Sequence, residues 1–131
     1  MTRLLAAGAA TAFALTISLL AVPAALANEP ATVGTTAKGK VWVDSKGMTL
    51  YTYDKDSSGK STCTGQCAEL WPPHFAPGDA KADGDWTVVT RRDGKKQWAY
   101  KGKPLYLWKE DKKPGDVTGD GVNNVWRIAV P

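Results

Sequence analysis

Two cysteines, Cys63 and Cys67, are the residues whose type and spacing most directly suggest chemistry in this sequence. In an exported protein, cysteines four positions apart predict a disulfide bond that closes a very small loop. At this spacing in a regular helix the two side chains are poorly placed for bonding, so we expect Cys63 to precede the helical turn, as Gly65 permits. The alternative is a thiol–disulfide or Cu(I) site, because two soft thiolates suit that ion.

Other residues that could perform catalysis are few. His74 is the only histidine, so any Ser-His-Asp or Cys-His arrangement would require it. It follows two consecutive prolines, which favours an exposed position in a loop. Carboxylates are available at Asp54, Asp56 and Glu69 for hydrolysis by paired acids, but no spacing singles them out. We therefore predict no catalytic residues and no enzymatic activity.

A further candidate is a calcium-binding loop that begins at Asp116. Asp116 and Asp120 occupy the first and fifth positions of an Asp-x-x-x-Asp-Gly pattern, with Thr118 available at the third. The twelfth position, which should supply a bidentate carboxylate, is Arg127. We therefore interpret this segment as a Gly-rich turn, and we expect neither a bound metal nor another cofactor.

These candidate residues are embedded in an internal repeat. The segment from 46 to 56 returns without a gap as the segment from 101 to 111. At this offset of 55 the pairs are Lys46 and Lys101, Gly47 and Gly102, Leu50 and Leu105, Tyr51 and Tyr106, Asp56 and Asp111, and Trp71 and Trp126. At the same offset Tyr53 corresponds to Trp108. Self-similarity at a fixed period predicts one supersecondary unit used twice, each copy unable to bury its apolar face alone.

Aromatic residues predict where the two copies meet. The aliphatic content of the chain is modest, so six Trp and four Tyr residues must supply much of the core. Pseudo-twofold repeats bring equivalent residues together, and we expect a cluster of Tyr51, Tyr53, Trp71, Tyr106, Trp108 and Trp126. The alternative is that these rings stack on a sugar or on a flat cofactor. The repeated Asp, five residues after each Tyr, is expected to accept amide hydrogens in a turn.

The N-terminal segment has the features of a secretory signal peptide. A basic start, an apolar run to about Val22 and an Ala-x-Ala site predict that residues 1–27 are cleaved, the alternative being a retained membrane anchor. Residues 28–40 hold few large apolar groups and are predicted to be a flexible leader. The remaining residues, 41–131, are the size of one small domain, with repeat one at about 41–76 and repeat two at about 86–131.

Short strands and frequent turns predict the fold class. Residues 41–43 and 48–53 are expected to pair as a hairpin, and residues 86–91, 96–100 and 104–108 as a meander of three strands. A helical turn is predicted at 68–71, next to the cysteines, and a closing strand at 125–130. The prediction is an all-β protein, a small antiparallel domain of two pseudosymmetric repeats with a short helical turn near the cysteines.

Charge is distributed unevenly along the chain. Residues 41–85 carry four basic and seven acidic side chains, net −3, whereas residues 86–131 carry ten basic and five acidic, net +5. One interpretation is that the two repeats attract each other and the rest is solvated surface. A functional interpretation is a basic face that binds an anionic polymer or lipid of the cell surface.

Several spaced segments together carry a family resemblance. They are Tyr51, Tyr53 and Asp56, then Tyr106, Trp108 and Asp111, then Cys63-x-Gly-x-Cys67-Ala-x-x-Trp71-Pro-Pro73, and Asp93-Gly94 followed by Gln97-Trp98-x-Tyr100-x-Gly102-x-Pro104-Leu105-Tyr106. Over nearly all of residues 41–131 the chain resembles the bacterial secreted-repeat family, predicted lipoproteins with a Tyr-x4-Asp motif. The resemblance implies a secreted or surface-attached bacterial protein and carries no established activity. The cysteine that lipidation requires does not follow the apolar run, which argues against lipid attachment here.

Together these observations favour a secreted, non-enzymatic binding or surface-interaction module. The expected partner is a polymer or protein of the cell envelope, with no nucleic acid, and the protein is expected to be a monomer. The competing hypothesis is an extracytoplasmic redox or Cu(I)-handling protein that works through Cys63 and Cys67.

Overall fold

The computed structural model describes residues 29–131, so the predicted signal peptide at 1–27 lies outside the described residues. The described chain forms seven short strands and one short α-helix. They are β1 (Thr32–Thr36), β2 (Gly39–Val43), β3 (Tyr51–Tyr53), α1 (Gln66–Leu70), β4 (Trp86–Thr90), β5 (Lys96–Tyr100), β6 (Lys103–Pro104) and β7 (Trp126–Ile128), with a 3₁₀ turn at Val122–Asn124. None of the helices within residues 29–131 has the length and apolar character needed to span a bilayer.

The strands form three small antiparallel sheets. β1 pairs with β2, β3 with β7, and β4 with β5 and then β6. The predicted three-stranded meander is present, but its third strand spans only Lys103–Pro104 rather than the predicted 104–108, because Tyr106 bridges to Tyr51 and Pro73 instead. The helix is a single short segment beside the cysteines, where the sequence predicted a helical turn. Residues 29–131 therefore form the predicted all-β domain with one short α-helix.

The two halves of the chain are joined through backbone pairing as well as through side chains. β3, from the first half, pairs with the C-terminal strand β7 in the register Tyr53 opposite Trp126. Tyr51 and Tyr106, which are equivalent in the internal repeat, exchange both backbone hydrogen bonds at 2.8 and 2.9 Å. The approximate twofold axis that relates the two repeats therefore lies between Tyr51 and Tyr106.

The predicted hairpin of 41–43 with 48–53 forms only in part. An isolated bridge joins Val43 to Thr49, and the amide of Leu50 donates to the carbonyl of Trp42 at 2.9 Å. Gly47 has a positive φ, 80°, in the turn. Beyond Leu50 the strand leaves its hairpin partner and pairs with β7, because that pairing carries the tyrosines into the shared core.

The structure corrects the prediction of a flexible leader at 28–40. Thr32–Thr36 forms β1, paired along its whole length with Gly39–Val43. The β-branched threonines favour a strand, and Gly39, with φ of 99°, closes the turn. Ala31, just before β1, is buried against the core. Regular structure therefore begins about nine residues earlier than the predicted start at Val41.

Alternation along the repeated strand divides the core into two clusters. Leu50 and Leu105 lie in one cluster, with Ala31 and Ala129. The adjacent residues Tyr51 and Tyr106 point to the other face and lie in a second cluster with Cys63, Trp71 and Trp126. We call this second cluster the aromatic core. Successive side chains of a strand face opposite sides, so one repeated segment supplies both clusters.

Candidate functional site

The centre of the aromatic core contains two tyrosine–aspartate pairs, and each pair joins the two repeats. The hydroxyl of Tyr51 donates to Oδ2 of Asp111 at 2.6 Å, and the hydroxyl of Tyr106 donates to Oδ2 of Asp56 at 2.6 Å. Both tyrosines have no exposed surface. Each motif tyrosine is therefore bonded to the motif aspartate of the other copy.

The second oxygen of each aspartate has the turn role that the sequence predicted. Oδ1 of Asp56 accepts hydrogen bonds from the amide and the hydroxyl of Thr62, both at 2.8 Å. Oδ1 of Asp111 accepts from the amide and hydroxyl of Thr118, at 3.0 and 2.5 Å. Each carboxylate thus accepts hydrogen bonds from a loop of its own repeat and from the tyrosine of the opposite repeat.

Each tyrosine hydroxyl also accepts a hydrogen bond. The amide of Gly119 donates to the hydroxyl of Tyr51 at 3.2 Å. The hydroxyl of Tyr106 contacts Oγ of Ser61 at 2.5 Å, and Nη1 of Arg91 donates to that Oγ at 2.7 Å. Burial raises the pKa of both tyrosines well above the usual value, and the hydrogen bonds to the aspartates raise it further. Both phenols therefore stay protonated at neutral pH.

Four aromatic rings form a continuous stack through this cluster. Trp108 stacks on Trp71 with ring centroids 3.9 Å apart, and Trp71 stacks on Trp126 at 3.7 Å with only 4° between the ring planes. Trp126 in turn stacks on Tyr53 at 4.3 Å. The two inner rings are buried and are equivalent in the repeat, whereas the outer rings, also equivalent, are partly exposed. The stack is therefore symmetric about the twofold relation of the repeats.

The structure places all six repeated aromatic residues in this one cluster. Tyr51 packs edge-on against Trp71 with centroids 5.5 Å apart, and Tyr106 packs edge-on against Trp126 at 5.2 Å. Gly119 lies so close to Tyr51 that a Cβ built on it would stand 2.8 Å from the phenol ring. Such an approach excludes any larger residue at this position.

Cys63 and Cys67 form the predicted disulfide bond. Cys63 precedes α1 and Gly65 has φ of 60°, so the chain reaches the bond in the way that the sequence predicted. Cys63 is fully buried in the aromatic core and Cys67 packs against it. The carbonyl of Cys63 accepts a 2.7 Å hydrogen bond from Nη2 of Arg91. These contacts favour a structural role for the disulfide.

Two adjoining clefts lie on the surface beside β3. Their volumes are about 330 and 460 Å³, and both are bordered by Thr52, Asp54, Lys101 and Lys103. The turn between β5 and β6 places both lysines at the rim, and Lys101 has the left-handed φ of 49° that two-residue hairpin turns require. We call the two clefts together the lysine cleft.

Comparison with known proteins identifies the family. A family model described as a secreted repeat of unknown function matches residues 32–74 and again residues 87–130. The chain belongs to this secreted-repeat family. The match confirms the resemblance seen in the spaced motifs, and its double occurrence agrees with the internal repeat. No curated protein and no solved structure matches the chain.

Family membership bears on location. The secreted repeat is described as secreted, and an intact disulfide suits an oxidising compartment outside the cytoplasm. The family description gives no activity, so function has to be argued from the site itself.

In the secreted-repeat structure, the candidate calcium residues Asp116 and Asp120 bind other partners. Oδ2 of Asp116 accepts hydrogen bonds from the backbone amides of Lys112 and Lys113. Asp120 forms an ion pair with Lys38 at 2.8 Å. That ion pair lowers the pKa of Asp120. Within residues 29–131, no three His, Cys, Asp or Glu side chains converge in a way that could hold a metal ion.

His74 lies in an irregular segment, as predicted, but it is not the exposed residue that the sequence predicted. Its ring is partly buried and contacts the carbonyl oxygen of Pro30 through Nε2, while its backbone pairs with Leu105 and Trp98. Burial lowers the pKa of the ring. The segment before β1, which has no hydrophobic signal in the sequence, covers the histidine.

Sequence reasoning missed a second aromatic group, formed by Trp42, Trp86 and Tyr100. The three ring centroids lie 4.9 to 5.1 Å from one another. Tyr100 also borders the lysine cleft, and Nζ of Lys101 lies 5.3 Å from its ring centroid. These residues come from β2, β4 and β5 and do not repeat at the offset of 55, so the repeat did not reveal them.

Proposed function

We propose that this secreted-repeat domain is a non-enzymatic binding module for an anionic polymer of the cell envelope, and that the lysine cleft is the binding site. The observation that carries the proposal is the pair of unpaired cations at the rim. The ion pairs within the described part of the chain are Lys38 with Asp120 and Arg127 with Asp54, and neither Lys101 nor Lys103 takes part in one.

The acidic residues of the cleft are already engaged. Oδ2 of Asp54 accepts from Arg127 at 3.1 Å, and Asp56 is occupied by Tyr106 and Thr62. Arg127 neutralises the charge of Asp54, whereas the neutral donors to Asp56 leave its charge in place, so the two lysine ammonium groups outweigh one carboxylate and give the cleft a net positive charge. Exposed cations of this kind attract a polyanion through long-range fields and release it at high salt.

The aromatic neighbour of the cleft favours a polymer that contains sugar rings. Tyr100 presents a partly exposed ring next to Lys101, supported from behind by Trp42 and Trp86. A rigid aromatic face can pack against the apolar face of a sugar while the lysines bind its carboxylate or phosphate groups. Acidic polysaccharides and sugar-phosphate polymers both combine sugar rings with such anionic groups.

The test is equilibrium binding of the folded domain to a polyuronate, with a neutral glucan as the ligand control. Replacing both rim lysines, Lys101→Gln with Lys103→Gln, should weaken binding by about tenfold, because each exposed ionic contact contributes up to about 1 kcal/mol. Lys112→Gln with Lys113→Gln removes the same charge away from the cleft and should leave affinity nearly unchanged. Equal losses in the two double variants, or no preference for the polyuronate over the glucan, would reject the proposal.

A further inference from the structure

The four-ring stack connects two patches of protein surface through the interior. Its outer rings, Trp108 and Tyr53, are partly exposed, whereas Trp71 and Trp126 between them are buried. Successive ring centroids are 3.9, 3.7 and 4.3 Å apart, and successive ring planes are inclined by at most 25°. Face-to-face contacts of this kind allow an electron vacancy on one ring to pass to the next, because the π orbitals overlap.

A tyrosine bonded to a carboxylate adjoins each inner ring of the stack. Tyr51 packs on Trp71 and is 2.6 Å from an oxygen of Asp111, and Tyr106 packs on Trp126 and is 2.6 Å from an oxygen of Asp56. A phenol that loses an electron becomes strongly acidic and must pass on its proton. In a core that excludes water, only a base already in hydrogen-bond contact can take that proton.

We propose that the aromatic core is a one-electron relay, in which the stack carries oxidising equivalents inward from a surface oxidant and Tyr51 and Tyr106 hold them as neutral radicals. The co-reactant is a one-electron oxidant that meets Trp108 or Tyr53 at the surface and is reduced by one electron. The vacancy reaches Trp71 or Trp126, which recovers an electron from the adjoining tyrosine.

The step balances in electrons and protons. As Tyr51 gives one electron to Trp71, its O–H bond breaks and the proton moves to Oδ2 of Asp111, which leaves a neutral tyrosyl radical and a neutral carboxylic acid. A one-electron reductant at the surface reverses the step, and the proton returns to the phenolate oxygen. Tyr106 and Asp56 repeat the chemistry at the other end of the stack. The relay needs no bound polymer. Tyr53 and Asp56 also border the lysine cleft, however, so the Trp108 end of the stack is the one that a bound polymer leaves open.

The relay gives every position of the repeated motif a role. The first tyrosine is the site of proton-coupled oxidation, the second aromatic residue is the surface end of the stack, and the aspartate is the proton acceptor of the opposite repeat. The second aromatic group provides a comparison within the same chain. Its rings meet edge-on or tilted, at interplanar angles of 45° to 74°, and Tyr100 has no carboxylate partner among the side-chain hydrogen bonds of the described residues.

The experiment photo-oxidises the folded domain with a tris(bipyridine)ruthenium(II) sensitiser and persulfate, and detects radicals by electron paramagnetic resonance after rapid freezing. Wild type should give a tyrosyl signal. The double variant Tyr51→Phe with Tyr106→Phe should lose most of this signal. Asp111→Asn with Asp56→Asn should also lose it, because an asparagine oxygen still accepts the hydrogen bond of the phenol but cannot take its proton. Tyr100→Phe should leave the signal unchanged.

Two results would overturn the relay. The first is a tyrosyl signal that survives the double substitution of Tyr51 and Tyr106. The second is a signal that Tyr100→Phe reduces as much as that double substitution does. If the double variants do not fold, wild type can still reject the relay. Radical formation in deuterated buffer should then be slower than in ordinary water, because the phenolic proton moves with the electron, and equal rates in the two solvents would reject the mechanism.

Discussion

The hydroxyl of Tyr51 donates a 2.6 Å hydrogen bond to Oδ2 of Asp111, a residue 60 positions further along the chain. The aspartate of its own motif, Asp56, binds Tyr106 instead. The two repeats are thus joined by an exchange of identical bonds, and neither copy can satisfy its buried polar groups alone. Removing one partner leaves a buried group without its bond, which is costly.

The first prediction concerns how much these exchanged hydrogen bonds contribute to stability. Tyr51→Phe should lower the free energy of unfolding by about 1.5 to 3 kcal/mol, the usual range for a hydrogen bond to a charged group. Tyr100→Phe is the matched control and should cost less, because that ring forms no hydrogen bond to a carboxylate. Urea denaturation of both variants measures the difference. Similar losses would show that the bond to Asp111 contributes little.

The second prediction follows from the raised pKa values of Tyr51 and Tyr106. An unfolded tyrosine has a pKa near 10, so stability is fully present below about pH 10 and falls above it, by roughly 1.4 kcal/mol per pH unit for each of the two. Absorbance of the phenolate should show two tyrosines that ionise only as circular dichroism reports unfolding. If all four tyrosines ionise while the fold persists, the prediction fails.

The third prediction concerns the close approach at Gly119. A Cβ there would stand 2.8 Å from Tyr51 and 2.9 Å from Trp71, so Gly119→Ala should destabilise the domain by about 1 to 3 kcal/mol through overpacking. Gly78 has open space around its Cβ position and an ordinary φ, which makes Gly78→Ala the control. That control should be neutral or slightly stabilising. Thermal unfolding of the two variants provides the comparison.

The fourth prediction separates a structural disulfide from a working one. Replacing Cys63 and Cys67 together by serine should cost about 2 kcal/mol of stability, because the bond closes a short loop in the unfolded chain. Binding of the polyuronate should be unchanged, since neither cysteine borders the lysine cleft. A double variant that keeps its stability, together with a wild-type bond that a glutathione buffer reduces and reduced protein that takes up Cu(I), would favour the redox or Cu(I) hypothesis.

The fifth prediction concerns the stability of the protein at acidic pH. Because burial lowers the pKa of His74 in the folded protein, the unfolded chain binds the proton more readily. The stability that depends on the neutral ring is therefore present above the ordinary histidine value of 6.5 and is lost as the pH falls below it. His74→Gln should flatten the stability profile between about pH 5 and 7. An equally steep profile in the variant would assign the effect to other groups.

The sequence by itself determined the fold class of this protein and the repeated aromatic residues of its core. Repetition at an offset of 55, strand alternation and turn residues are local properties of the chain. They predicted the all-β class, the meander, the disulfide with Cys63 outside the helix, and the clustering of the repeated aromatic residues. The turn role of Asp56 was also predictable, because Oδ1 bonds a residue only six positions away.

Only the tertiary structure decided which partners these residues have. The pairing of Tyr51 with Asp111 depends on the register of β3 against β7 and on the backbone exchange between Tyr51 and Tyr106. No local pattern encodes such a register. The strand β1 likewise escaped prediction, because a short polar segment becomes ordered only through its pairing with β2. The lysine cleft and the second aromatic group combine residues from separate strands, and a one-dimensional sequence does not contain the distances between strands that bring them together.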